Sequence, residues 1–256
     1  MRAHIAAQAA SGHATLAGLL CLLLLTPLPC SAEELRVAVA TNFAATMREL
    51  ASDFSRTTGH ELVVSAGATG KLYAQIVNGA PFDLFFAADE ARPQQLEAEG
   101  RALADAGFVY AVGTLVLWSP QLNFVDATVL SSAEFRYLAI ANPRLAPYGA
   151  AAQDTLEALE LWTSVRARLV RGENIGQTLQ FVRSGNAELG FIARSQHQAL
   201  RPAGSFWPVP PDLHRPLRQR AAVLTDSPAS REFAAFLQSP LARERISSYG
   251  YDLPNH

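Results

Sequence analysis

Ala66-Gly67-Ala68-Thr69-Gly70-Lys71-Leu72-Tyr73 stands between two segments of different periodicity. Before it, Leu62-Val63-Val64 is an apolar run of strand length. After it, Leu72 and Ile76 lie four apart, as on one face of a helix, and Gly79 supplies a stop. The stretch is therefore a tight strand-to-helix turn. Such a turn aims backbone N–H groups and a hydroxyl at one point, where the helix dipole favours negative charge. Two readings stand: an anion cradle, or an ordinary βα turn that is glycine-rich only because the chain must bend. It is not a P-loop. That motif needs four residues between Gly and Gly-Lys and then Ser or Thr, whereas here two intervene and Leu72 follows.

The same alternation extends in both directions. Upstream, Leu35, Val37 and Val39 alternate with smaller or charged residues and predict a strand. Phe43, Met47, Leu50, Ala51 and Phe54 then recur at helical spacing, with Gly59 as the stop. Thr41 or Asn42 falls at the N-cap of that helix, the commonest use of either residue there. Downstream, residues 84–87 predict a strand, and Asp89 a cap for a helix carrying Leu96. Residues 109–112 and 115–118 are apolar runs, and Ser132 is placed to cap a short helix. Residues 138–141 form a strand that leads through Pro147-Tyr148-Gly149 into an Ala-rich helix. Leu169-Val170 leads through Asn174-Ile175-Gly176 into a helix stopped at Gly185, and residues 189–193 form a further strand. The Pro-rich piece 202–216 is read as a surface crossing, residues 220–224 as a strand and 232–237 as a helix. Strands alternating with helices argue an α/β chain with mixed, mostly parallel sheets.

The 256 residues suffice for one large domain or two lobes. A net charge of −2 and a pI near 6.3 leave no basic footprint for nucleic acid. Lys71 is the only lysine. Arg2 and His4 precede an apolar run over 16–25, followed by Pro27, Pro29 and Cys30-Ser31-Ala32. This is the order of a secretory signal, with cleavage expected after Ala32. The run is short for a membrane span. Cys30 raises a lipid-anchored alternative, but Pro27-Leu28-Pro29 fits a lipobox poorly. Both cysteines, Cys21 and Cys30, would leave with the signal.

Enzyme chemistry is weakly signalled. His60, His197, His214 and His256 show no His-x-x-x-His spacing for zinc. There is no Gly-x-Ser-x-Gly elbow. Asp83, Asp89 and Glu90 are open to a Mg²⁺ or general-base role, or to turn and cap duties. What remains is a set of strand-to-helix turns: Thr41-Asn42, Ala68-Thr69, Tyr148-Gly149 and Ile175-Gly176. In an open α/β sheet, ligands sit at the carboxyl ends of strands. Helix N-termini gathered there would make a site rich in N–H donors and poor in formal charge, suited to a small ionised oxyanion.

At these turns the chain resembles the periplasmic molybdate-binding proteins of ABC importers. The matching stretches are Val39-Ala40-Thr41-Asn42-Phe43, Gly67 through Ile76, Gly79 through Phe85, Asn142-Pro143 with Ala146-Pro147-Tyr148-Gly149, Glu173-Asn174-Ile175, and Gly190 through Gln196. The resemblance implies a two-lobed periplasmic-binding-protein fold of type II, with the ligand in the cleft between lobes. It places lobe I at 33–111 and 221–256 and lobe II at 112–220, after a signal peptide at 1–32. It implies oxyanion contacts from Thr41, Asn42, Thr69, Tyr148 and Ile175, with no direct metal ligand and no cofactor. The bound ligand would be molybdate or tungstate. The partner would be the membrane permease of an ABC transporter, and the protein a monomer in the periplasm. Two departures concern the anion. Many family members have Ser-Ser where this chain has Ala68-Thr69, and some use a tyrosine where this chain has Ala193. The alternatives are a binding protein for another tetrahedral oxyanion, such as sulfate or thiosulfate, and a secreted α/β hydrolase using Asp83 or Asp89.

Overall fold

The computed structural model describes residues 32–123, 125–132 and 135–254. The leader expected at 1–32 lies, apart from Ala32, outside the described residues. Among the described residues, no helix is long and apolar enough to cross a membrane.

Ten strands form two five-stranded sheets. The first sheet contains β1 (Glu34–Ala40), β2 (Glu61–Gly67), β3 (Leu84–Phe86), β4 (Phe108–Gly113) and β10 (Leu217–Val223), in the order β2-β1-β3-β10-β4. The second contains β5 (Leu115–Ser119), β6 (Leu138–Ala141), β7 (Leu169–Gly172), β8 (Leu189–Ala193) and β9 (Ser205–Pro208), in the order β7-β6-β8-β5-β9. Both sheets are mixed. In each, one strand runs against the rest: β10 against β3 and β4, and β5 against β8 and β9. These reversed strands are the ones the chain enters on changing sheet. Pairing in the first sheet continues to Gly113 and resumes at Leu217, because Gly113 pairs with Leu217 and Val112 with Arg218. The changes of sheet therefore fall at Thr114 and within 209–216, so residues 112–113 and 217–220, expected in lobe II, pair in the first sheet.

The helices are α1 (Ala44–Thr58), α2 (Thr69–Val77), α3 (Ala91–Ala98), α4 (Pro147–Ala158), α5 (Trp162–Val165), α6 (Ile175–Arg183), α7 (Arg194–Leu200), α8 (Pro228–Phe236) and α9 (Pro240–Ser248). Each sheet is covered on both faces, as parallel βαβ units require. Leu35, Val37 and Val39 of β1 pack with Phe43, Met47, Leu50 and Phe54, while Ala38 faces Leu72 and Ile76 of α2. Gly59 ends α1 as expected, in the left-handed conformation at φ 80°, with its N–H donated to Ser55 O.

Three local expectations are corrected. The N-cap of α1 is Phe43, because the Asn42 side chain is drawn into tertiary hydrogen bonds instead. Ser132 follows the 3-10 turn Ala127–Ser131, which Asp126 caps through the Thr128 N–H. The Pro-rich piece is not a bare crossing: β9 forms inside it and pairs with β5, its pattern hidden by the surrounding prolines.

Candidate functional site

Four strands end around one small cavity. After β1 come Thr41 and Asn42. After β2, Ala68 stands in extended conformation before α2, whose first residue is Thr69. After β6, residues 142–146 lead into α4, where Pro147 is first and Tyr148 second. After β7, Asn174 caps α6 by accepting the Gln177 N–H at 2.9 Å, and Ile175 is the first helical residue. Thr41, Asn42, Thr69, Tyr148 and Ile175 all line the cavity, which is narrow and open to solvent on one side. Residues from both sheets thus meet at carboxyl ends of strands.

The donors follow from helix geometry. The first N–H groups of a helix have no intrahelical acceptor, and Thr69, Tyr148 and Ile175 occupy such positions in α2, α4 and α6. The next N–H in α2, from Gly70, is used otherwise and donates to Leu145 O across the cleft at 2.8 Å. Thr69 is 1% exposed, and its Oγ1 accepts the Ala88 N–H at 3.1 Å. The hydroxyl proton is then left for another acceptor. Thr41 differs from expectation in one respect. Its backbone N–H donates to Gly67 O at 3.1 Å, extending the β1–β2 ladder, so only its hydroxyl remains for the cavity. The adjacent backbone donor is that of Asn42.

Charge is kept at the margins. Lys71 leaves the turn and pairs with Glu173 across the cleft at 2.6 Å, with both side chains about half exposed. A pair so exposed is worth about 0–1 kcal/mol. Arg92 pairs with Asp89 and reaches Arg144 O at 3.3 Å. The acidic trio has structural partners. Asp83 accepts the Arg36 N–H, Asp89 accepts the Arg92 N–H at the start of α3, and Glu90 pairs with Arg218 at 2.8 Å. Among the described residues, no histidine lines the cavity. His60 joins the Glu33 N–H to Glu232, and His197 packs on Phe206, where burial pushes its imidazole below the usual range. His256 lies outside the described residues. Among the described residues, no three His, Cys, Asp or Glu side chains are grouped to hold a metal ion.

Behind the cavity lies a neutral network that joins Asn42 to Gln219, Tyr251 and Ser195, three residues not expected at the site. Asn42 Nδ2 donates to Gln219 Oε1 (2.9 Å) and to Tyr251 Oη (3.1 Å). Tyr251 Oη lies 2.8 Å from Asn42 O and 2.9 Å from Ser195 Oγ. Burial holds the Tyr110, Tyr148 and Tyr251 phenols well above their ordinary pKa, so all three stay protonated. Gln219 had a sequence signature. Leu217, Gln219 and Ala221 are the buried phase of a strand whose other phase is Arg218 and Arg220. A glutamine in an apolar phase must find partners inside.

With this geometry in view, likeness to known proteins is specific. Residues 35–252 match the family of bacterial extracellular solute-binding proteins. The molybdate-binding protein ModA of Azotobacter vinelandii is 48% identical over 235 residues, covering 88% of this chain and 93% of that protein. The chain belongs to the ModA family of solute-binding proteins. ModA of Rhodobacter capsulatus is 40% identical over 229 residues, covering 88% of this chain and 90% of its own. The solved structure of the Azotobacter vinelandii periplasmic molybdate-binding protein superposes with a TM-score of 0.82 at 40% identity, over 86% of this chain and all of that one. The two-lobed α/β fold that the resemblance implied is therefore the fold of the family, and the chain is a solute-binding protein.

Proposed function

We propose that the mature protein captures molybdate or tungstate in the periplasm and delivers it to the permease of an ABC transporter. The lobes of this reading are 33–113 with 217–254, and 114–216. One observation carries it: Thr41, Asn42, Thr69, Tyr148 and Ile175, from four separate strand ends, line a single cavity with no acidic or basic side chain in its wall. Two relatives that share this chain over most of its length, at 48% and 40% identity, are named for molybdate.

The chemistry is binding without covalent change. A dianion accepts N–H bonds from Asn42, Thr69, Tyr148 and Ile175 and O–H bonds from Thr41 and Thr69. Bonds to a charged acceptor are roughly twice as strong as neutral ones. The N-termini of α2, α4 and α6 add their dipoles. Contacts across the cleft, Gly70 to Leu145 and Lys71 to Glu173, bring the lobes together over the anion and exclude water. Selectivity against sulfate rests on cavity size, since both anions carry the same charge and accept the same bonds. Native mass spectrometry of the mature protein, offered molybdate, tungstate, sulfate and phosphate together, tests this. A complex with molybdate or tungstate is expected. Exclusive retention of sulfate or phosphate would reject it.

A donor-only cradle also sets the pH response. The cavity wall holds no carboxylate, lysine, arginine or histidine, and its one phenol, Tyr148, is raised by burial. No wall group then changes charge between about pH 6 and 9, the range in which an ordinary histidine near 6.5 would report. Molybdate affinity is expected to be flat across that range. Phosphate is expected to bind poorly where it keeps a proton, because that proton can be met only by a threonine hydroxyl oxygen in a wall otherwise made of N–H donors. Calorimetry in buffers of different ionisation enthalpy measures both. Proton uptake on binding, or affinity falling steeply as pH rises, would place a titrating base at the anion and overturn the neutral cradle.

A further inference from the structure

Gln219 is fully buried and does not line the cavity, yet it touches residues that do. It sits in β10, two residues after the chain returns to the first sheet and beside a register shift in the β10–β4 pairing. Its Oε1 accepts from Asn42 Nδ2 at 2.9 Å and from Tyr110 Oη at 3.0 Å, both on the first-sheet side. Its Nε2 donates to Tyr148 Oη at 3.2 Å, on the second-sheet side. One amide thus satisfies Asn42 with its acceptor and Tyr148 with its donor. The other sheet change comes to the same place. A Cβ on Gly113, the last residue of β4, would stand 2.6 Å from Gln219 Nε2 and closer still to Tyr148 Oη. The chain therefore leaves the first sheet beside the Gln219–Tyr148 contact and returns to that sheet two residues before Gln219. Asn42 and Tyr148 line the cavity from opposite lobes.

We propose that Gln219 is a positioning residue that couples lobe closure to assembly of the oxyanion site, a role that rests on the oxyanion-binding reading above. In the closed arrangement its amide holds the Asn42 and Tyr148 side chains in one hydrogen-bonded chain. Each backbone N–H is thereby set at a fixed angle to the cavity. When the lobes part, the Tyr148 bond is the one of Gln219's bonds that must break, since Asn42, Tyr110 and Gln219 all remain with the first sheet. The site is complete only when that bond is made.

The groups facing Gln219 are Tyr110 from β4, Tyr148 from α4, and Asn42, which is in turn bonded to Tyr251 of the C-terminal tail. None is charged at neutral pH. The flanking Arg218 and Arg220 are paired with Glu90 and Glu97, and Asp89, which bears on Tyr110, is paired with Arg92. This neutral setting supplies a test that a merely structural role would not move. In Gln219→Glu the ionised carboxylate has no proton to give Tyr148 and adds a buried negative charge near the anion. Once protonated, it is neutral and close to glutamine in shape. Molybdate titrations by calorimetry are run from pH 6 to 8 on wild type and Gln219→Glu. Wild type is expected to be flat. The variant is expected to bind at least about ten-fold more weakly at pH 8 and to recover as pH falls.

Tyr148→Phe cuts the same link from the other lobe without altering β10. It is expected to weaken binding about five- to ten-fold, the scale of one hydrogen bond. If the lobes close on the anion by a hinge, wild type should contract on adding molybdate in small-angle scattering, and this variant should contract less. Gln219→Met combined with Tyr148→Phe is expected to bind no worse than the weaker single variant. Gln219 and Tyr148 substitutions that leave affinity, pH profile and contraction as in wild type would overturn the coupling while the oxyanion reading stands. Additive losses in the double variant would do the same. A wild type that binds no oxyanion would remove both.

Discussion

Thr69→Val is expected to weaken molybdate binding roughly ten- to hundred-fold. Valine keeps the shape of threonine and removes its hydroxyl. A hydrogen bond to a charged group contributes about 1.5–3 kcal/mol, and each decade of affinity corresponds to about 1.4 kcal/mol. The structure adds a second consequence that the turn sequence does not show. Thr69 Oγ1 also accepts the Ala88 N–H, and Thr69 is almost completely buried. Removing the acceptor orphans a buried donor, at a cost of about 1–3 kcal/mol of stability. Thr69→Val should therefore melt lower than wild type even without ligand. Thr69→Ser, which retains both bonds, should lie near wild type in both measurements. Calorimetry and thermal unfolding of the two variants decide the matter. Unchanged affinity in Thr69→Val would make Thr69 a turn residue only, whatever happens to its melting temperature.

Gly149→Ala is expected to damage folding and binding together. A Cβ at Gly149 would stand 2.7 Å from the Ala141 carbonyl carbon and 2.9 Å from that of Asn142, and nearer still to the Ala141 oxygen. Those atoms are backbone at the end of β6 and have no side-chain freedom to give way. The first turn of α4 would have to lift, carrying the Tyr148 N–H from its place at the cavity. Overpacking of this kind costs about 1–3 kcal/mol. For a domain of this size that corresponds to a melting temperature lower by roughly 2–12 °C. Molybdate affinity should fall with it, because the anion loses one of its donors. A variant that melts and binds as wild type would show that α4 does not need this close approach.

The βα turns were legible because their signals are local. Gly67 to Gly70 between an apolar run and a helical face can be little else than a turn at a strand end. The same holds for Asn174-Ile175-Gly176, expected to enter a helix, where the Asn174 side chain makes the cap. Asn42 was misplaced for the same reason. Asparagine before a helix is ordinarily a cap, and nothing nearby shows that Gln219 and Tyr251, both far along the chain, will compete for its amide. A free Thr41 N–H, beside the hydroxyl, was what the family resemblance implied. It is lost to Gly67 because β1 and β2 pair in register to their last residues, Ala40 with Gly67.

From its sequence alone the chain was an α/β protein whose polar, uncharged turns suit an oxyanion, since periodicity, glycine stops and helix-start residues act over a few positions. Which turns share a cavity was decided by the tertiary structure, through the strand orders β2-β1-β3-β10-β4 and β7-β6-β8-β5-β9 and the two points at which the chain changes sheet. Strand order depends on pairings between distant segments, and no local pattern encodes it. The placement of Gln219 between Asn42 and Tyr148 is of the same kind. Alternation in β10 shows that the side chain points inward, but its partners arrive from β4, α4 and the turn after β1 only when the whole chain has folded.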